Sequence, residues 1–462
     1  MKDNGFISLE GTNYLYYLNE NNIMLFPIDE ENIYPLSRFT EEAYTLELMG
    51  SRGVRGAIWK HTAFIKQTNY SFNDIIELKA KCVFSRWESI PIGGFDLFGE
   101  AIDDLFYYGQ DDVFINIDSI YDLGEKVHVI GSWTVTYKKR EVHISLQYGN
   151  VLSNQGRNIL EFHPVIRVTV AGEEDMDLLY EIYECILNFV RLIRYRSTCG
   201  KIEVKLISAD ENRQRIGRVC INPESSPFSR RYPIASFSFW KPYIQTLLNF
   251  VISDPELDLN FFPSNSLRNS PEDYNPTTFS RIYTAFENEC HKNKPLYEQV
   301  DCSAVNTVRN GIIERIKSFE AEIKSDITAE EQKFIQKAIN RVKQLDTEMG
   351  QKGKILHAFE IIRPIIEGYI SFFVDGYESC HEISKNTAIG LLGSIPTMRG
   401  KILHDGDRNL LTREETSAMQ LLEMVVYAQI LKRAQLKDKE ISKIIRFNFE
   451  LEGGNYTFLT PD

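Results

Sequence analysis

A chain of 462 residues with 43% hydrophobic and 25% charged side chains has the balance of a globular protein of about two or three domains, long enough to bury a large core. Its 65 acidic against 52 basic residues leave a net charge of −13, which excludes a surface coated with nucleic acid along its whole length and confines any RNA contact to a local patch. Seven cysteines without a Cys-x-x-Cys pair argue against a disulfide framework, and neither a signal peptide nor an unbroken apolar span is present, so the expected setting is a reducing cytoplasm with no membrane contact.

In chain order, about the first 170 residues read mostly as strands and turns. In "KVHVIGSWTVTYKKREVHISLQYGN", Trp133, Val135 and Tyr137 alternate with polar residues, "KKRE" turns the chain, and Val142, Ile144, Leu146 and Tyr148 alternate again. This predicts a β-hairpin, with His128 and His143 facing each other across it. "ELKAKCVFSRW", "DVFINID" and "PVIRVTVAG" are further short runs bounded by turn residues, so a mainly antiparallel sheet is expected. A helix at about 174–195 opens on acidic residues, closes on arginines, and is apolar around most of its circumference, which predicts burial against that sheet. Strands near 202–207 and 216–221 and a helix around "SFWKPYIQTLLNFVIS" complete this half.

Beyond "DPELDLNFFPSNSLRNSPEDYNP", a Pro, Asn and Ser-rich stretch, the period changes to that of helices. Val305, Val308, Ile312, Ile316, Phe319 and Ile323 mark one helix, and Phe334, Ile335, Ala338, Ile339, Val342 and Leu345 the next. Thr328 with Glu331, and Thr412 with Glu415, have the spacing of a capping box, in which each partner satisfies an amide of the other's helix start. With segments near 353–374, 385–403 and 413–435 this makes a bundle of about five helices. The expected class is α+β: a β-rich N-terminal domain at 1–253, a linker or surface loop at 254–277, an all-α bundle at 278–446 and a tail at 447–462.

No phosphate-binding glycine loop, dinucleotide fingerprint or nucleophile elbow occurs, and the eight histidines show no metal-ligand spacing, so neither cofactor nor metal is expected. Cys380 and His381 are adjacent in sequence, so their side chains diverge. Basic residues suited to phosphates lie at 191–201 and 432–446, where a solvated helix face is the plainer account.

What remains is an arginine followed after four to six residues by a histidine, which occurs as Arg55 with His61, Arg157 with His163, and Arg399 with His404. Only the last lies in the helical half, and "MRGKILHDGD" stops its helix at Asp405-Gly406, which places His404 at a helix end. Asp405 and Asp407 are better read as that terminating turn than as groups orienting His404. Histidine exchanges a proton near neutral pH and a guanidinium grips two phosphate oxygens, so the pair suits phosphodiester chemistry.

A bundle carrying Arg-x4-6-His before an Asp/Gly turn resembles the HEPN ribonucleases. With the β-rich first half and "KILHAFEIIRP" it is similar to the ApeA-like branch of bacterial antiphage proteins. The resemblance implies an all-α HEPN-type bundle and metal-independent cleavage of RNA, tRNA included, to 2′,3′-cyclic phosphate ends. Arg399 and His404 would be the catalytic residues. It further implies a sensing or target-selecting N-terminal domain, a phage-derived trigger, and a homodimer through the C-terminal bundle. The residue after the arginine, usually polar in that family, is Gly400 here. A non-catalytic HEPN scaffold that binds a nucleotide, RNA or partner protein is the alternative. A ligand-binding β-domain fused to a dimerising bundle is the third.

Overall fold

The computed structural model describes residues 2–9, 12–19, 22–28, 46–50, 55–66, 75–86, 90–105, 128–152, 160–172, 175–221, 237–264, 275–293, 303–323, 328–343, 350–369, 385–404 and 411–449. Strands fill the N-terminal part and helices the C-terminal part of an α+β chain, which divides into two compact units between Leu267 and Arg268.

Unit 1 begins with β1 (Lys2–Leu9), β2 (Thr12–Asn19), β3 (Asn22–Pro27), β4 (Leu46–Gly50), β5 (Arg55–Lys66) and β6 (Ile75–Arg86), paired antiparallel in the order β3-β2-β1-β4-β5-β6. Strand β3 pairs again with β6, from Asn22 opposite Lys79 to Leu25 opposite Ile76, and so closes these six into a barrel. Period-2 alternation sends Tyr14, Tyr16, Leu18, Ile23 and Leu25 inward, while Phe6, Leu15 and Tyr17 face out.

Strand β6 also belongs to a second sheet. Its residues 82–86 pair with β12 (Arg215–Ile221), and the sheet continues as β11 (Ile202–Ser208), β7 (Ile92–Gly99), β10 (Leu160–Val170), β9 (Arg140–Leu152) and β8 (His128–Tyr137), all antiparallel. The hairpin β8–β9 turns on Lys138 and Lys139, both at positive φ (46° and 67°), the two-residue geometry that matches the twist of the flanking strands. Thr134, not His128, stands opposite His143, and His128 pairs with Tyr148. The two histidines therefore do not face each other; the register set by this tight turn overrules that expectation.

One face of this sheet buries Val135, Ile144, Leu146, Ile166, Phe95 and Leu97. After a short helix α1 (Glu100–Leu105), the covering helix α2 (Met176–Arg194) starts where the Asp175 carboxylate accepts the Leu178 amide at 2.9 Å and ends on Tyr195 in the left-handed conformation. Burial holds its Cys185 thiol up at about 12. The basic run near its end is not a solvated face: Arg194 and Arg196 are buried and donate to the carbonyls of Thr198 and Tyr195. Helices α3 (Phe237–Trp240) and α4 (Ile244–Ser253) follow, with Ile244 and Leu248 of α4 buried.

The stretch read as a linker differs in its first part. Leu257, Leu259, Phe261 and Phe262 are buried, Asn188 of α2 donates to the Leu257 carbonyl, and Phe262 packs on Tyr195 at 4.6 Å between ring centroids. Its composition is that of a loop, but its four large apolar side chains pack it into unit 1.

Unit 2 contains α5 (Pro276–Lys292), α6 (Ser303–Ile323), α7 (Ala329–Lys343), α8 (Gln351–Ile366), α9 (Lys385–His404), α10 (Arg413–Arg433) and α11 (Asp438–Asn448). There are thus seven α-helices among its described residues rather than about five; α5 and α11 are the additions. Helix α10 is buried on every side from Ala418 to Leu431 apart from Gln420, and packs on α5, α8, α9 and α11. Both expected capping boxes form: the side chain of Glu331 accepts the Thr328 amide and that of Glu415 the Thr412 amide, each at 2.8 Å. Helices α6 and α7 pack on each other through Ile313, Ile335 and Ile339. Val308, Ile312, Phe319 and Phe334, which mark these helices by their spacing, are exposed, because the hairpin buries one face of each helix only. Among the described residues no helix is long and apolar enough to cross a membrane.

Candidate functional site

Helix α9 runs without interruption through Pro396 to His404, so both residues of the Arg399/His404 pair lie on one helix and the histidine is its last residue. Residues 405–410 lie outside the described residues, as do Arg157, Cys380 and His381. Five residues of helix correspond to about 140° of rotation and about 7.5 Å of rise, so the Cα atoms of Arg399 and His404 do not share a helix face. Of the other two hits, Arg55 and His61 both lie in strand β5, and His163 lies in β10 opposite Gly149.

Two side chains of α5 position Arg399. Tyr283 and Glu287 are four residues apart and so share a face. The Arg399 guanidinium lies 4.7 Å from the centre of the Tyr283 ring, and its Nη2 is 3.8 Å from Glu287 Oε2. Glu287 is fixed in turn by Gln351 of α8, whose Nε2 donates to Oε1 at 3.1 Å. Three helices thus meet around one arginine whose side chain stays 44% exposed. An exposed guanidinium stacked on an aromatic ring loses little freedom on gripping an anion, because ring and carboxylate already restrict its rotamers.

The Tyr283 ring is buried, and its hydroxyl meets no hydrogen-bond partner among the described residues. Burial, and then the Glu287 carboxylate, push this phenol above its ordinary value, while Arg399 pulls the other way. Tyr283 is therefore a neutral phenol throughout the working range of most proteins. Gly400 is flanked by open space, with nothing within 4 Å of where a Cβ would stand. Packing does not demand glycine there.

Sequence reasoning missed Tyr283, Glu287 and Gln351. The Tyr-x3-Glu spacing was visible, but their bearing on Arg399 depends on how α5, α8 and α9 pack. The basic residues at 432–446 divide: Lys432 pairs with Asp438 at 3.0 Å, whereas Arg433 enters the bundle to meet Glu289. Comparison with protein-family models, with curated proteins and with solved structures finds no match to this chain.

Proposed function

We propose that this chain is a HEPN-type endoribonuclease acting as a toxin-like effector in antiphage defence, which cuts RNA without a metal and leaves 2′,3′-cyclic phosphate ends. The observation that supports this is a half-exposed arginine, stacked on Tyr283 and steadied by Glu287, a little over one turn before a histidine that ends the same helix. In this scheme Arg399 holds the scissile phosphate and stabilises the charge that grows on its oxygens. His404 takes the proton of the 2′-hydroxyl or returns one to the leaving 5′-oxygen, a role worth roughly 10² to 10⁴ in rate.

The helical spacing bears on assembly. One helix sets the two residues apart around its axis, and transesterification is helped by both a base and an acid, so a two-fold axis beside 399–404 would supply a second Arg/His pair. The scheme therefore includes a homodimer through the bundle. Sequencing of cyclic-phosphate RNA ends from cells expressing wild type and His404→Ala tests the activity; identical profiles would sink it. A two-tag heterodimer of Arg399→Ala with His404→Ala protomers tests the shared cleft. Such a heterodimer keeps one complete pair and regains part of the cleavage, whereas one as dead as either parent refutes the composite site.

A second reading, the non-catalytic HEPN scaffold that binds a nucleotide, RNA or partner protein, is favoured in its partner-protein form by one observation. Glu287 Oε2 already stands 3.8 Å from Arg399 and competes with a phosphate oxygen. Under that reading Arg399→Ala weakens binding and no cyclic-phosphate ends arise.

A further inference from the structure

The face of the open sheet turned away from α2 carries a row of cations organised by one buried carboxylate. Side chains alternate, so Asp96 and Phe98 of β7 point opposite to Phe95 and Leu97. Asp96 is fully buried and stands in register with Arg167 of β10 on one side and Lys205 of β11 on the other. It binds Arg167 through two hydrogen bonds, Nε to Oδ1 at 2.7 Å and Nη2 to Oδ2 at 2.9 Å. Arg215 of β12 donates from Nε to the same Oδ2 at 3.0 Å. The Arg215 guanidinium lies 4.6 Å and the Lys205 ammonium 4.8 Å from the centre of the Phe98 ring.

The manner of this grip matters. Asp96 takes Arg215 by Nε and Arg167 by Nε and Nη2, so Nη1 of each guanidinium, and Nη2 of Arg215 as well, are left out of these bonds. The side chains of Arg167, Lys205 and Arg215 remain 17%, 23% and 30% exposed. One carboxylate cannot neutralise three cations. Glu203, mostly exposed and 3.4 Å from Lys205, is the second, and Arg218, in register with Lys205, adds a fourth positive charge. In a chain of net charge −13 this is a local excess of the opposite sign. The same row extends through Ser145 of β9 to Ser132 of β8. At about 4.8 Å per strand, the cationic part of the row, from Arg167 across β7 and β11 to Arg218, spans roughly 14 Å. A stripe of that length suits an extended strand with repeated negative charges better than a single small anion.

We propose that Arg167, Lys205 and Arg215 form a phosphate-binding row for single-stranded RNA on the outer face of this sheet; the choice of RNA rests on the endoribonuclease reading. The row contacts phosphates and leaves the bases unread, since Phe98 lies beneath the cations and is too buried to stack on a base. It holds RNA without regard to sequence.

The test is binding of a labelled single-stranded oligouridylate to the full-length His404→Ala chain, followed by fluorescence anisotropy across a salt series. Adding Lys205→Gln with Arg215→Gln weakens binding by at least about tenfold, the equivalent of one charge-assisted hydrogen bond. It also flattens the logarithmic salt slope by about 1.4, at roughly 0.7 per lost phosphate contact. Arg167 still pairs with Asp96 in this variant, so the carboxylate keeps a partner. A second pair, Lys205→Gln with Arg218→Gln, leaves the grip of Asp96 on both arginines untouched and decides the matter if the first variant is misfolded. Folded variants that bind with unchanged affinity and slope overturn the proposal and leave an internal ion cluster. So does a loss of binding that accompanies misfolding in the first pair and is absent from the second. Cleavage is scored separately, with the same substitutions in chains that keep His404: RNA cut normally by variants that bind normally refutes the row alone, whereas RNA that the unsubstituted chain leaves uncut, yet that loses affinity in the variants, refutes the nuclease alone.

Discussion

Helix α5 carries two glutamates two residues apart, and each meets an arginine from another helix. Glu289 lies inside the bundle, where Arg433 of α10 reaches it with two parallel hydrogen bonds at 2.8 and 2.9 Å and Asn293 adds a third from Nδ2 at 3.3 Å. Glu287 lies at the margin, where Arg399 comes no nearer than 3.8 Å and rests its guanidinium on Tyr283 instead. Residue types and helix are the same, yet one pair is closed on itself and the other is open. The difference lies in water: a desolvated pair must satisfy every lone pair or cost several kcal/mol, about 3–5 if broken, whereas a half-exposed pair is worth about 0–1. An arginine that contributes so little to folding is available to a ligand.

The comparison breaks most visibly at its closed end. Arg433→Ala leaves Glu289 buried without its cation and costs about 3–5 kcal/mol in urea unfolding of the bundle; a loss under about 1 kcal/mol would mean that water reaches the pair. At the open end, under the proposed nuclease activity, Arg399→Ala lowers RNA cleavage by about 10² to 10³. Stability there moves by less than about 1 kcal/mol, so the far-ultraviolet spectrum and melting temperature stay near wild type. Cleavage that survives at wild-type rate moves the chemistry away from α9.

Tyr283 sharpens the contrast through pH. Its raised value means that the folded protein keeps the phenol proton after the unfolded chain has released it. The stabilising contribution is therefore complete below the ordinary tyrosine value, about 10, and is lost as pH rises through the folded value. Melting temperatures of wild type and Tyr283→Phe diverge above that pH, with wild type falling faster, and a constant gap across the range contradicts a buried phenol beside Glu287. The smallest effect belongs to Glu287→Gln, which changes stability by under about 1 kcal/mol and frees Arg399 from a competing carboxylate. RNA affinity rises or holds in this variant. A fall would make Glu287 part of the RNA-binding machinery.

Local chemistry made much of this fold legible. The 133–148 alternation announces its hairpin, and Thr412 with Glu415 announces the start of α10, because each signal lies within a few residues. Barrel closure was hidden, since Asn22 and Lys79 meet across a distance that no local pattern encodes. The Asp96 hub was hidden for the same reason, its partners lying 71 and 119 residues away. Loop-like composition at 254–264 masked four core side chains, and the arginines at 194 and 196 looked like a basic surface although carbonyls bind them inside. Of the candidate site, Arg399 and His404 could be named from spacing. Tyr283 and Glu287 could not, because only the packing of α5 against its neighbours brings them to the arginine.

The double membership of β6 has a consequence for the order of assembly on the ribosome. Every pairing in the barrel uses residues before position 87, so the barrel can close soon after those residues emerge. The open sheet is different. Its middle strand β7 needs β10 and β11, and its link to the barrel needs β12, which ends at Ile221. Until then, the second half of the β6 edge, residues 82–86, waits as an unpaired template at the rim of a finished barrel. A pause in synthesis between β7 and β12 would leave that template open longest, and a chain halted there would be the form most prone to pair with another copy of itself.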